Sequence, residues 1–200
     1  MAAALKSRVP QLSGHCGEGP ATSDSGPRPR CASVALVVRP RGAELELLLI
    51  KRATAEGDPW SGHMALPGGR RGPSDSSSME TAVRECREEV GLDLARVGTL
   101  LGQLDDVEPR SGAPAVVVSS FVFAVPVDAT VRPNHEVALA MWVPLTHLAD
   151  PASAVEHLHE PGGGPPLRFP AIGYQDHVIW GITHRIIAHF LELAGVPPDQ

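Results

Sequence analysis

Between Leu66 and Leu92 the chain reads LPGGRRGPSDSSSMETAVRECREEVGL, a proline-glycine turn followed by a short helical pattern that Gly91 closes. This stretch limits the fold more than any other, because its two faces must go to different places. At about 100° per residue, Glu85, Glu88 and Glu89 fall within an arc of roughly 100°. Met79, Val83, Cys86 and Val90 form a separate apolar stripe centred more than about 120° away. The stripe packs naturally on a sheet. The other face gathers like charges, which cost a few tenths of a kcal/mol per i, i+4 pair in an isolated helix. A bound cation would offset that repulsion. Hard divalent ions take oxygen ligands, and Mg²⁺ is commonly held by one or two carboxylates plus substrate phosphates.

The order of residues in this stretch resembles the Nudix box, G-x5-E-x7-R-E-U-x-E-E-x-G-U with U aliphatic. Arg84-Glu85-Cys86-Arg87-Glu88-Glu89-Val90-Gly91-Leu92 fits its second half and Gly69 its opening glycine. Asp75 stands where the pattern asks for Glu, and eight residues instead of seven separate it from Arg84. The resemblance implies an α+β chain of Nudix fold, an α/β/α sandwich around a mixed β-sheet. It implies that Glu85 and Glu89, with help from Glu88 and the Gly69 carbonyl, bind Mg²⁺ or Mn²⁺. It also implies that Arg84 holds a neighbouring glutamate through a charge-assisted hydrogen bond. Asp75 is shorter than the family's Glu and is left outside the metal set. The implied activity is hydrolysis of a diphosphate, with Glu85, Glu88, Arg84 and Glu136 as catalytic candidates. The water is oriented by a glutamate of the box or by Glu136 in RPNHEVALAMWVPL, where the alternative is a turn residue before a strand.

Upstream, LLIKRATAEGDPWSGHMALPGG is similar to the segment preceding the box in Nudix hydrolases of coenzyme A. Arg52-Ala53 matches its start and Gly62-x3-Leu66-Pro67-Gly68-Gly69 its end, while Leu66 stands for Phe, Asp58 falls where a second Arg is expected, and the spacing is one residue longer. The favoured substrate is therefore coenzyme A or an acyl derivative, cleaved to adenosine 3′,5′-bisphosphate and a 4′-phosphopantetheine product. Arg52, Arg70 and Arg71 are the candidate substrate-binding cations. The alternatives are another nucleoside diphosphate derivative, such as ADP-ribose or NADH, or a non-catalytic nucleotide sensor of the same fold. His63 could touch ligand or be plain surface, and the pairs His157/His159 and His177/His184 read as surface or packing residues.

Composition excludes other classes. A net charge of −6, with no basic run longer than Arg70-Arg71, argues against nucleic acid, whose phosphates demand clustered cations. No stretch approaches the roughly 18 apolar residues of a membrane span. Cys16, Cys31 and Cys86 are an odd set without ligand spacing, so no disulfide framework is expected. Residues 1–30 read as a flexible tail, rich in Gly, Pro and Ser from Gly14 to Arg30, which leaves organellar targeting open beside a cytoplasmic location. Residues 31–200 read as one hydrolase domain, with a homodimer left open. Within it CASVALVVRP, LELLLIKR, LLGQLDDVEPR, APAVVVSSFVFAVPV and EVALAMWVPL suggest strands. VIWGITHRIIAHFLELAG suggests a last helix with Trp180, Ile187 and Leu191 on one side.

Overall fold

The computed structural model describes Ser7, Val9 and residues 30–58, 60–108, 116–160 and 164–196, with Arg30 as backbone only. The expected tail over residues 1–30 therefore lies almost wholly outside the described residues. Val9, from that stretch, is buried against the core.

Strand β1 (Arg30–Arg41) is apolar without alternation because both of its faces are covered. Ala35 and Val37 pack into one core cluster, Leu36 and Val38 into another, as expected where successive side chains point to opposite faces. Gly42, at φ 60°, supplies the positive φ of the two-residue turn into β2 (Glu44–Arg52). Three more elements lead to the box helix and beyond it: β3 (Met64–Ala65) pairs with β2, β4 (Gly68–Arg70) pairs with β1, and α1 spans Ser78–Val90. A short α2 (Leu94–Val97) precedes β5 (Thr99–Val107), which pairs with β6 (Val116–Ala124). β6 lies parallel to β1, and β7 (Val137–Pro144) adds to the far edge of β2, completing a mixed seven-stranded sheet.

Helical layers cover both faces. Ala82, Cys86 and Val90 of α1 join Phe121 and Phe123 on one side. On the other, α3 (Leu145–Ala149) and α4 (Gly181–Ala194) contribute Leu145, Leu148, Ile186, Ile187 and Phe190. Burying a side chain of this size is worth about 1.5–3 kcal/mol. The architecture is the expected α+β sandwich around a mixed sheet.

One region differs from the expectation. Val178, Ile179 and Trp180 do not open the last helix. They belong to β10 (His177–Trp180), which joins β8 (Ala154–His159) and β9 (Leu167–Tyr174) in a second, antiparallel sheet. A short apolar run looks alike in strand and helix by periodicity alone, and Gly181 at φ 66° marks the break between them. Trp180 consequently does not share a helix face with Ile187 and Leu191.

β2 and β7 pair in step from Glu46 to Lys51 and then slip, so that Arg52 faces Val137 and Ala138 is left over as a bulge. Cys86 is a buried free thiol, whose pKa burial drives well above the usual thiol range. Cys31 is disulfide-bonded, a correction to the expectation of none. Cys16 lies outside the described residues. Among the described residues no helix is long and apolar enough to cross a membrane.

Candidate functional site

The box helix is fixed at both ends. At its start Ser77 caps α1, its hydroxyl accepting from the Glu80 N–H at 3.1 Å, while the Glu80 carboxylate accepts from the Ser76 N–H at 2.6 Å. At its end Gly91 adopts φ 67° and its N–H reaches the Arg87 carbonyl. The Glu89 and Val90 carbonyls accept from the Asn134 and Arg132 N–H groups at 2.8 and 2.7 Å. These last two bonds fasten the segment carrying Glu136 to the C-terminal end of α1.

Asp75 is the hinge pin of the turn before the helix. Its carboxylate takes Nε and Nη2 of Arg84 at 2.9 Å each, the Gly72 N–H at 2.7 Å and the Thr81 hydroxyl at 3.0 Å. The Arg84 guanidinium holds this carboxyl well below the usual carboxylate range, against the opposing effect of burial. The shorter acid thus reaches Arg84 despite the extra residue in the loop. Arg84 in turn contacts Glu85 at 3.0 Å and Glu88 at 2.8 Å through Nη1, and the Arg70 carbonyl at 3.2 Å through Nη2.

The glutamates are not equivalent. Glu88 has a side chain 50% exposed, whereas Glu89 is 3% exposed and accepts from the Gly68 N–H at 2.9 Å. Burial pushes the Glu89 carboxyl up to about 7; the Gly68 N–H opposes this, the charges of Glu85 and Glu136 add to it, and Arg52 opposes it. Glu85 is also raised, chiefly by burial, against Arg84 and with Glu88 and Glu136 adding. A Cβ on Gly69 would overlap the Glu85 carboxylate, and one on Gly68 would overlap the Ser33 carbonyl and the Val34 backbone. Only glycine lets the turn lie this close to α1.

The structure thus brings Gly69, Glu85, Glu88, Glu89 and Arg84 together, with the charge of Glu136 close enough to act on two of them. Of the three arginines expected at the substrate, Arg52 is paired with Asp58 at 2.8 Å and lies near Glu89. Arg70 is exposed. Arg71 instead donates to the Ser76 carbonyl at 2.8 Å, bracing the loop. Sequence reasoning left the brace role of Asp75 undecided and passed over the Ser77-x-x-Glu80 cap, whose spacing is legible.

Among the described residues no three His, Cys, Asp or Glu side chains are arranged to hold a metal as they stand. Arg84 and Gly68 occupy their oxygens instead. The donors still suit Mg²⁺ or Mn²⁺: the set is all oxygen, and Glu85 and Glu89 carry the mutual repulsion that a cation would relieve.

Comparison with known proteins places the chain. The NUDIX domain family model matches residues 27–161. An uncharacterized protein of Schizosaccharomyces pombe is 44% identical over 110 residues, 52% of this chain, and this chain spans only 33% of that relative. The uncharacterized Nudix hydrolase NudL of Photorhabdus laumondii is 35% identical over 70% of this chain and 73% of the relative. Its counterpart in Yersinia enterocolitica is 32% identical over 74% of each. The solved MutT/nudix family protein from Enterococcus faecalis superimposes with a TM-score of 0.59 at 17% identity, covering 88% of this chain and 66% of that one, which shows the fold. With the box, its brace and its glycine turn assembled on that fold, the chain belongs to the Nudix family and is a hydrolase of pyrophosphate bonds.

Proposed function

We propose that the chain hydrolyses the diphosphate of coenzyme A or an acyl-coenzyme A to adenosine 3′,5′-bisphosphate and a 4′-phosphopantetheine product. The observation that carries the hydrolytic part is the pair of Glu85, half-buried, and Glu89, buried, held against the glycine turn by Arg84 and Gly68. The substrate rests on the Arg52-Ala53 and Gly62-to-Gly69 segment. Both of its ends meet the site: Arg52 acts on Glu89, and Gly68 bonds it.

In this reading Gly69, Glu85, Glu88 and Glu89 would hold Mg²⁺ or Mn²⁺. The ion supplies charge neutralisation of the diphosphate and a lowered pKa for bound water. Arg84 keeps Glu85 and Glu88 in place and is itself aligned by Asp75. Glu136, fastened to the end of α1, faces the carboxylates and orients or deprotonates the attacking water. Arg52 and Arg70 offer charge to substrate phosphates, while Arg71 is committed to the loop. The partner is a small nucleoside diphosphate derivative, not nucleic acid, and the protein acts as a homodimer in the cytoplasm or an organelle, which light scattering and fractionation test.

ADP-ribose is the second substrate to test, because the NUDIX domain of Shewanella oneidensis NrtR was solved with ADP ribose. Purified protein is offered coenzyme A, acetyl-coenzyme A, ADP-ribose, NADH and nucleoside triphosphates with Mg²⁺, Mn²⁺ or chelator. Adenosine 3′,5′-bisphosphate released from coenzyme A and lost with chelator supports the proposal. Faster cleavage of ADP-ribose or NADH replaces the substrate, and ligand binding without turnover replaces the enzyme by a sensor.

A further inference from the structure

Three imidazoles and a phenyl ring converge on one indole of the second sheet. By strand alternation Trp180 shares a face with Val155, His157 and His159 of β8 and with Leu167 and Phe169 of β9. His157 stacks on the indole with centroids 4.1 Å apart and planes at 28°. His159 and Phe169 lie tilted at 5.1 and 5.5 Å, and His63 meets it edge-on at 5.0 Å. The five rings are half-buried, and Val155 and Leu167 beside them are exposed.

This face adjoins the carboxylates. The Arg52 N–H donates to the His63 carbonyl at 3.0 Å, and the next residue, Ala53, donates to the Glu136 carbonyl at 2.8 Å. The end of β2 therefore separates the ring cluster from Glu136. Arg52 belongs to both sides, its charge acting on Glu89 and on His63. Its Nη2 is held by Asp58, but its buried Nε has no hydrogen-bond partner among the described residues.

The chemistry of the face narrows its ligand. The histidines are not arranged to hold a metal. Burial, reinforced by neighbouring imidazoles, lowers His63 and His157 from the ordinary imidazole value. Asp58, the acid that acts on His63, is already paired with Arg52. Rings gathered around an indole, with no Lys or Arg among them, favour a flat partner over a phosphate.

We propose that the face formed by His157, His159, Phe169 and Trp180, with His63 at its edge, is the stacking subsite for the purine of the substrate's nucleoside half. The inference rests on the nucleoside diphosphate reading above. Coenzyme A, ADP-ribose and NADH all carry an adenylate, so the subsite serves whichever is cleaved. Aromatic stacking tolerates any base because every base has a π-face.

The test is calorimetric titration of the full chain, with Mg²⁺, by adenosine 5′-monophosphate and by ribose 5-phosphate. Wild type, His157→Ala and His159→Ala are compared with His177→Ala, which alters the opposite face of the same sheet. Trp180→Leu is added if it folds. Wild type should bind the adenylate about tenfold more tightly than the sugar phosphate. The gap should shrink to about threefold or less in the His157 and His159 variants and persist in the His177 variant. Equal binding of the two probes by wild type, or an undiminished gap in both variants, overturns the subsite. The readout is independent of turnover. A gap that closes in these variants, in a protein that cleaves no diphosphate, leaves the subsite standing and defeats the hydrolase reading alone.

Discussion

Replacing Asp75 with Asn keeps the volume and deletes the charge at the point where α1 is fastened to the turn before it. The carboxylate is 3% exposed and takes four hydrogen bonds, two of them from Arg84, itself 22% exposed. Asn retains one acceptor and turns an amide NH₂ toward groups that donate. Breaking a buried pair by removing one partner costs about 3–5 kcal/mol. Arg84 keeps Glu85 and Glu88 and some water, which lowers the expected loss to about 2–3 kcal/mol. The sign with pH follows from the direction of the shift. The folded carboxyl is held below its unfolded value of about 3.9, so its stabilisation is present above that pH and lost as pH falls below it. Urea unfolding of metal-free protein at pH 7, 5 and 3.5 reads this directly. With a slope near 2 kcal/mol per molar, the midpoint should drop by about 1 M at pH 7 and 5, and the gap should narrow at pH 3.5. A midpoint within about 0.2 M of wild type at pH 7, or a gap that widens in acid, refutes the argument.

Glu89→Gln should abolish Mg²⁺-dependent turnover with the fold intact; near-normal activity would remove Glu89 from the site. Because the Glu89 carboxyl is raised to about 7, chelated wild type loses stability as pH rises from about 4.3 toward 7. Thermal melts in chelator should therefore show the Gln variant more stable than wild type at pH 8, and the two converging toward pH 4. Gly68→Ala meets backbone and should cost about 1–3 kcal/mol in urea unfolding. Gly69→Ala meets a movable carboxylate, so activity should fall far more than stability. Glu136→Gln should lower kcat by about 10²- to 10⁴-fold without changing the melting temperature; an unchanged kcat would make Glu136 a turn residue.

The sequence made the first half of this molecule legible for a physical reason. The box helix carries its own cap, its own terminator and two faces of opposite character, so its end at Gly91 and its cluster of glutamates are legible locally, as the passed-over cap at Ser77 would also have been. The strands β1, β2, β6 and β7 are long apolar runs that a buried sheet requires. What stayed hidden depends on contacts distant in sequence. Glu89 belongs to a charged face by counting, yet Gly68 and the sheet bury it. Asp75 looked too short and too far from Arg84 until the loop brought them together. The second sheet was missed because β8 and β9 carry His, Glu, Arg and Pro on a half-exposed surface, which blurs period-two alternation. Trp180 followed the wrong period for the same reason.

The leftover Ala138 has a consequence that no side chain at the carboxylates reveals. It acts as a phase shifter: one residue without a partner, which leaves Val137 on the face of Ala140 and Trp142 and not on that of Met141 and Val143, where unbroken alternation would put it. Glu136 directly precedes this strand, and Arg52 pairs with Val137 across the slip. Removing that single residue would keep Val137 opposite Arg52 and on its present face, whereas pairing Ala138 into an unbroken ladder would turn Val137, now 5% exposed, to the other face. Glu136 would be carried out of step with the helix end that fastens it. The orientation of the edge beside the proposed site is thus a matter of odd or even residue count, set by whether one small alanine is paired or left out.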